Sequence, residues 1–250
     1  HEEAEALGEL VAKLEEAAVA AQEVKETKAA LKGEHAALDA VQDVLLEAQE
    51  VCASLEAAGL VADAVVVHEL EHLLAGGEAD PEVLAKAVER ATKLAHELHG
   101  KGHGPVAAQV AKLEGMLRGA ANAGKEAENE HKELEAKSEA RAAVGEVHDI
   151  VAALRKGGDQ ELADEIEVWA NVHNDPSVEE MESAATGGKK TVAKLEALGR
   201  HEEAEALGEL VAKLEGTAVA AQEVKETKAV LKGEHAALDA VQDVLLEAQD

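Results

Sequence analysis

Apolar and small residues recur in steps of three and four along the first part of the chain. The series runs Leu7, Leu10, Leu14, Ala17, Ala21, Val24, Leu31, Leu38, Val41, Leu45, Ala48, Cys52 and Leu55. Such spacing returns to one face of a helix, so it predicts a long helix over residues 3–58 with a heptad-like stripe. Lys28 and His35 interrupt the stripe, and Gly33 weakens the helix by about 1 kcal/mol relative to Ala. Gly59 is the expected stop. The same logic predicts helices over 60–75, ended by Gly76-Gly77, and over 81–99, begun by Asp80-Pro81. Asp caps a helix and Pro suits its first turn. A turn at Gly100, Gly102 and Gly104-Pro105 leads into a second long helix over 105–156, which Gly157-Gly158 should end. Helices over 159–173 and 176–198 follow, with Gly187-Gly188 as a kink site, and a third long helix starts near 201.

Short connections make antiparallel neighbours, so these seven helices should alternate in direction. Three reversals separate one long helix from the next, which predicts that successive long helices run antiparallel. A helix of 52 residues is about 78 Å long, so the expectation is a lateral stack of long helices with pairs of short ones between them. Breaks at Gly33 and near Gly124 would give a string of bundles instead.

Self-similarity sharpens this picture. His1–Glu50 and His201–Asp250 differ only at Glu16/Gly216, Ala17/Thr217, Ala30/Val230 and Glu50/Asp250. Repetition at a fixed period marks one structural unit used many times. The twin positions Glu16 and Gly216 also argue against a helix stop there, because a left-handed cap would strain Glu. A weaker internal repeat pairs Val11-Ala-Lys-Leu-Glu15 with Val110-Ala-Lys-Leu-Glu114, Ala53–Gly59 with Ala152–Gly158, and Asp80-Pro81 with Asp175-Pro176. The unit is therefore about 100 residues, with repeats at 1–100, 101–200 and a first half at 201–250. The chain lacks an initiator Met and its second copy stops in mid-helix. A piece of a longer repetitive protein is the expectation.

There is no Phe or Tyr, one Trp and three Pro. Leu, Val and Ala must build the core, so stability should accumulate along an array rather than in one globule. A formal net charge of −29 repels phosphate and anionic membrane surfaces, which excludes nucleic acid as the expected partner. No apolar run approaches the roughly 18 residues of a membrane span, and Asp63 interrupts the best candidate. A single cysteine rules out an intramolecular disulfide, and Cys52 sits on the apolar stripe as a small hydrophobe.

Two histidine groups carry possible metal chemistry. His68-Glu69-Leu70-Glu71-His72 matches HExxH, in which two His one turn apart share zinc and the Glu activates water. The sister unit reads Trp169-Ala-Asn-Val-His173 there, and neither a third ligand nor a cleft is evident. His96 and His99 share a helix face, with His103 just beyond. The sister turn offers only His201. In a chain with twelve His and many Glu, these are read as surface residues, with metal binding the minority reading. No catalytic residue and no cofactor are expected. Twelve His among carboxylates would also charge near pH 6 and relieve acidic repulsion, so assembly is expected to respond between pH 5 and 8.

Gly158-Asp-Gln-Glu-Leu-Ala163 with Ala170 and Pro176 resembles the second helix of a tetratricopeptide repeat. Leu198-Gly-Arg-His-Glu-Glu-Ala204 is similar, and Gly59 with Ala64 matches more weakly. The 34-residue period and the aromatic positions of that family are absent. The resemblance implies packed helical hairpins and a protein-binding surface. Helical units of about 100 residues joined by long helices also resemble spectrin-type rods in architecture. The sequence thus predicts an all-α, elongated tandem-repeat array and a non-enzymatic structural scaffold, fibre or stalk. The alternative is a helical protein-binding scaffold, with a His-based metal protein third. Expected partners are neighbouring repeats, self-association or other proteins.

Overall fold

The computed structural model describes the backbone of residues 2–76, 79–170 and 176–247, and the side chains of 17–76, 79–170 and 176–233. Seven helices and no strand occur among the described residues: α1 (Glu2–Ala57), α2 (Val61–Leu74), α3 (Pro81–Gly100), α4 (Gly104–Gly157), α5 (Gln160–Ala170), α6 (Val178–Ala197) and α7 (His201–Glu247). The helices run unbroken through Gly33, Gly124 and the Gly187-Gly188 pair. None of them is long and apolar enough to cross a membrane. His1, Gly77, His173, Asp175 and Asp250 lie outside the described residues.

The helix ends follow from local chemistry. Gly59, Gly102, Gly158 and Gly199 adopt φ of 76°, 83°, 90° and 75°, which an L side chain resists. At each, two backbone N–H groups fold back onto orphan carbonyls of the last turn. Leu60 donates to Leu55 and Asp159 to Leu154, while His103 donates to Leu98 and Arg200 to Leu195. Asp80 caps α3 by accepting from the N–H groups of Glu82 and Val83. Ser177 caps α6 in a reciprocal box with Glu180. That corrects the expected Asp175-Pro176 start: the residue in the cap role is Ser177, and Pro176 precedes it.

The chain divides into two compact units. One is Ala29–Glu130, whose core takes Val41, Val44, Ala48, Val51 and Leu55 from α1, Leu70 and Leu74 from α2, Leu84 and Leu98 from α3, and Leu113 and Leu117 from α4. Each fully buried Leu contributes about 1.5–3 kcal/mol. α1 and α4 run antiparallel here: Glu47 pairs with Lys112 at 2.6 Å, and Gly33 lies beside Ala127 and Glu130. The other unit is His1–Lys28 with His131–Asp250. Its core takes Ala140, Val147 and Leu154 from α4, Ile166 from α5, Met181 and Leu195 from α6, and Leu207, Leu210 and Leu214 from α7. α4 and α7 run antiparallel, with Glu146 paired to Lys213 at 3.5 Å and Glu133 to Lys228. Burial pushes the Glu133 carboxyl up, but hydrogen bonds from Lys228 and Lys137 outweigh it and hold the group below its ordinary range. In the same unit Arg141 donates to both oxygens of Glu26 at 2.9 Å.

The buried positions of the two units keep a common register. Val41, Val44, Val51, Leu55, Ala64 and Val67 in one stand 99 residues before Ala140, Ala143, Ile150, Leu154, Ala163 and Ile166 in the other, and all but the half-buried Ile150 are buried there. Leu84, Ala87, Leu98, Ala107, Val110 and Leu117 stand 97 before Met181, Ala184, Leu195, Ala204, Leu207 and Leu214. The left-handed glycines obey the same offsets, Gly59 with Gly158 and Gly102 with Gly199.

The expected stripe on α1 needs correction. Val41, Ala48 and Leu55 are buried, but Val24, Leu31 and Leu38 are 54%, 48% and 36% exposed. Ala30, Ala37, Val44 and Val51 are buried in their stead. Side chains of Leu7, Leu10 and Leu14 lie outside the described residues.

Candidate functional site

α2 turns Ala64, Val67, Leu70 and Leu74 inward, and this decides where its charged residues go. His68 and His72 project from the opposite, exposed side. The His68 side chain is 71% exposed, and its Nδ1 lies 3.0 Å from Glu71 Oε2. Glu69, the residue that would activate a metal-bound water, is paired with Arg90 of α3 at 3.4 Å. Core register also revises the sister alignment. Leu70 falls opposite Trp169, so Glu167 and Asn171 stand where His68 and His72 stand, and the motif has no counterpart by this alignment either.

His96 and His99 of α3 line one open groove of about 500 Å³, with Thr92, Ala107, Ala111 and Glu114. His103 does not line it. Its backbone instead joins the turn before α4, where its carbonyl accepts from Ala107 N–H. Glu114 is the groove residue that sequence reasoning missed, since it arrives from α4 and no local spacing announces it. Among the described residues, no three His, Cys, Asp or Glu side chains come together as a metal site.

Cys52 is half-buried, and its thiol lies 3.7 Å from the Ala64 carbonyl. Burial, followed by the negative charges of Glu71 and Glu56, pushes the thiol pKa up. The thiolate that nucleophilic or redox chemistry needs is disfavoured at neutral pH.

Trp169 sits between the two short helices α5 and α6. Its ring lies over Gly187 and Gly188, where a Cβ at Gly187 would come within 2.6 Å of Trp169 Cβ. The glycine pair is therefore a seat for the indole and not a kink. Trp169 Nε1 donates to Thr191 Oγ1 at 3.1 Å, and Thr191 in turn donates to the Gly187 carbonyl. Leu70 and Leu94 occupy the matching places in the other unit, so one unit uses an apolar pair where the other uses a hydrogen-bonded one. Thr191→Val is expected to cost about 1–2 kcal/mol by stranding the indole N–H. In a Trp169→Phe background the same change should cost about 1 kcal/mol less, measured as a double-mutant cycle by urea denaturation.

Searches of family models, curated proteins and solved structures for a relative of this chain find no match.

Proposed function

We propose that this chain is a non-enzymatic structural repeat protein, an elongated helical scaffold, fibre or stalk segment in which one helical module is reused. The observation that carries this reading is the common register of buried side chains and left-handed glycines, set beside the near-identity of His1–Glu50 and His201–Asp250. A sequence selected to hold one pocket has no reason to repeat its core at fixed offsets. One selected to stack modules does, because each interface is used again. The net charge of −29 keeps such an array soluble and spaced.

Fusing the 200-residue block 51–250 in two and three copies tests the reading. Each added block should lengthen the particle by a constant increment in small-angle scattering and raise the unfolding midpoint toward a plateau. Blocks that collapse into one globule would overturn it. Val61 and Val65, one turn apart on α2 and 63% and 52% exposed, favour protein binding as a second reading. Recovery of a stoichiometric partner in a pull-down separates that reading from the first, and stoichiometric zinc in the purified chain would revive the histidine reading.

A further inference from the structure

The two near-identical segments give the same helix in two situations. In α7, Ala218 and Ala221 are buried in the core that the second half of α4 builds with α5 and α6, and Val224 is buried along a groove it shares with Glu133, Val178 and Met181. In α1, the same residues Ala18, Ala21 and Val24 are exposed, and Val24 changes from 4% exposure in its twin to 54%. The opposite face behaves in reverse: Ala30 is 5% exposed, while its twin Val230 is 61% exposed. Each copy thus shows one face occupied and the other bare. The long helix carries two distinct packing faces, and the chain itself displays what fits each.

We infer that the bare face of α1 marked by Ala18, Ala21 and Val24 is a docking surface for the cradle built by α4, α5 and α6 of a second copy of this chain. The occupant follows from the seat α7 already takes. Four of α7's buried residues in that seat, Leu207, Leu210, Val211 and Leu214, correspond in sequence to Leu7, Leu10, Val11 and Leu14. Charge pairing carries over as well. Lys213, Lys225 and Lys228 pair with Glu146, Glu179 and Glu133, and Lys13, Lys25 and Lys28 stand at the same places in the first copy. The two differences within this stretch do not obstruct the fit. A Cβ at Gly216 would meet nothing within 4 Å, which leaves room for the side chain of Glu16. Thr217 spends its hydroxyl on the Leu214 carbonyl of its own helix, so Ala17 removes a methyl and a hydroxyl without stranding a partner in the cradle.

α7 occupies the cradle within its own chain, so docking requires exchange. In the full chain, Leu207→Asp with Leu214→Asp should release α7 and leave the cradle to α1 of the next molecule. Head-to-tail oligomers are expected in sedimentation velocity at about 0.15 M salt, where long-range repulsion between acidic chains is screened. Adding Ala21→Asp and Val24→Asp, both at exposed positions, should return the chain to monomer. Oligomers that persist in that fourfold variant, or a folded double variant that stays monomeric, overturn the proposal. Should the double variant fail to fold, a second measurement decides. A protease site placed in the Gly199 turn lets α7 dissociate after cleavage of the otherwise native chain. A labelled peptide of residues 1–33 should then displace it within about threefold of the concentration that a 201–233 peptide needs. The same peptide carrying Ala21→Asp and Val24→Asp should bind more than about tenfold more weakly. Failure of the 1–33 peptide where the 201–233 peptide succeeds refutes the docking face. The proposal deepens the repeat reading, and the two fail separately: block fusions that lengthen regularly, with no exchange of helices, would sink this inference alone.

Discussion

Val224→Asp is expected to destabilise the unit containing α7 by roughly 3–5 kcal/mol, while Val24→Asp changes stability by less than about 0.5 kcal/mol. The two valines have the same neighbours in sequence over more than a full turn on either side, from Ala29 and Ala229 back to Ala18 and Ala218. Helix propensity, local charge and unfolded-chain behaviour therefore cancel in the comparison. What remains is burial: 4% exposure at Val224 against 54% at Val24. The Asp at 224 would lose its apolar burial and place a carboxylate beside Glu133 and Glu179, in a groove whose lysines Lys137, Lys225 and Lys228 are already paired with those two acids. The Asp at 24 would stand in water. Trp169 is the only indole in the chain and packs on the core of the unit containing α7, so its fluorescence during urea unfolding reports on that unit directly. Equal effects at both positions would mean that the two faces of the long helix are not differently occupied in solution.

This contrast also explains which parts of the fold were legible. Helix ends were, because Gly59, Gly158 and Gly199 each signal a left-handed residue and Asp80-Pro81 signals a cap and first turn, all without tertiary information. The faces were not. Val24, Leu31 and Leu38 lie on one apolar spacing with Val41 and Leu55, and nothing local says that only some of them find a neighbour. A single period search merges two packing faces into one stripe. Gly187-Gly188 misled for a related reason. Glycine next to glycine is a generic breaker signal, whereas here the missing side chains make room for Trp169, which lies on a different helix. His96 and His99 stand three residues apart, so spacing alone puts them on one face of α3, but the Glu114 that lines the same groove comes from α4, where only packing reveals it.

Gly124→Ala is expected to cost about 2–3 kcal/mol, against the ordinary rule that Ala in a helix interior gains up to about 1 kcal/mol over Gly. Gly124 is buried within α4, and a Cβ there would lie 2.5 Å from the Ala79 carbonyl oxygen and 3.5 Å from Pro81. The obstacle is backbone just ahead of a capped helix start, since Asp80 holds the N–H groups of Glu82 and Val83. It cannot swing aside as a side-chain tip would. Relief requires either shifting the α2–α3 connection or bowing α4, and both disturb the core that Leu84 and Leu117 share. Gly119, five residues earlier on the same helix, is the control: it is exposed, and an added Cβ meets nothing within 4 Å. Gly119→Ala should therefore stabilise by about 0.5–1 kcal/mol. Opposite signs in thermal denaturation for two identical substitutions one and a half turns apart would trace the close approach of α4 to the Asp80 turn. Stabilisation by both would mean that the approach does not exist, and that Gly124 is no more than a weak point in a long helix.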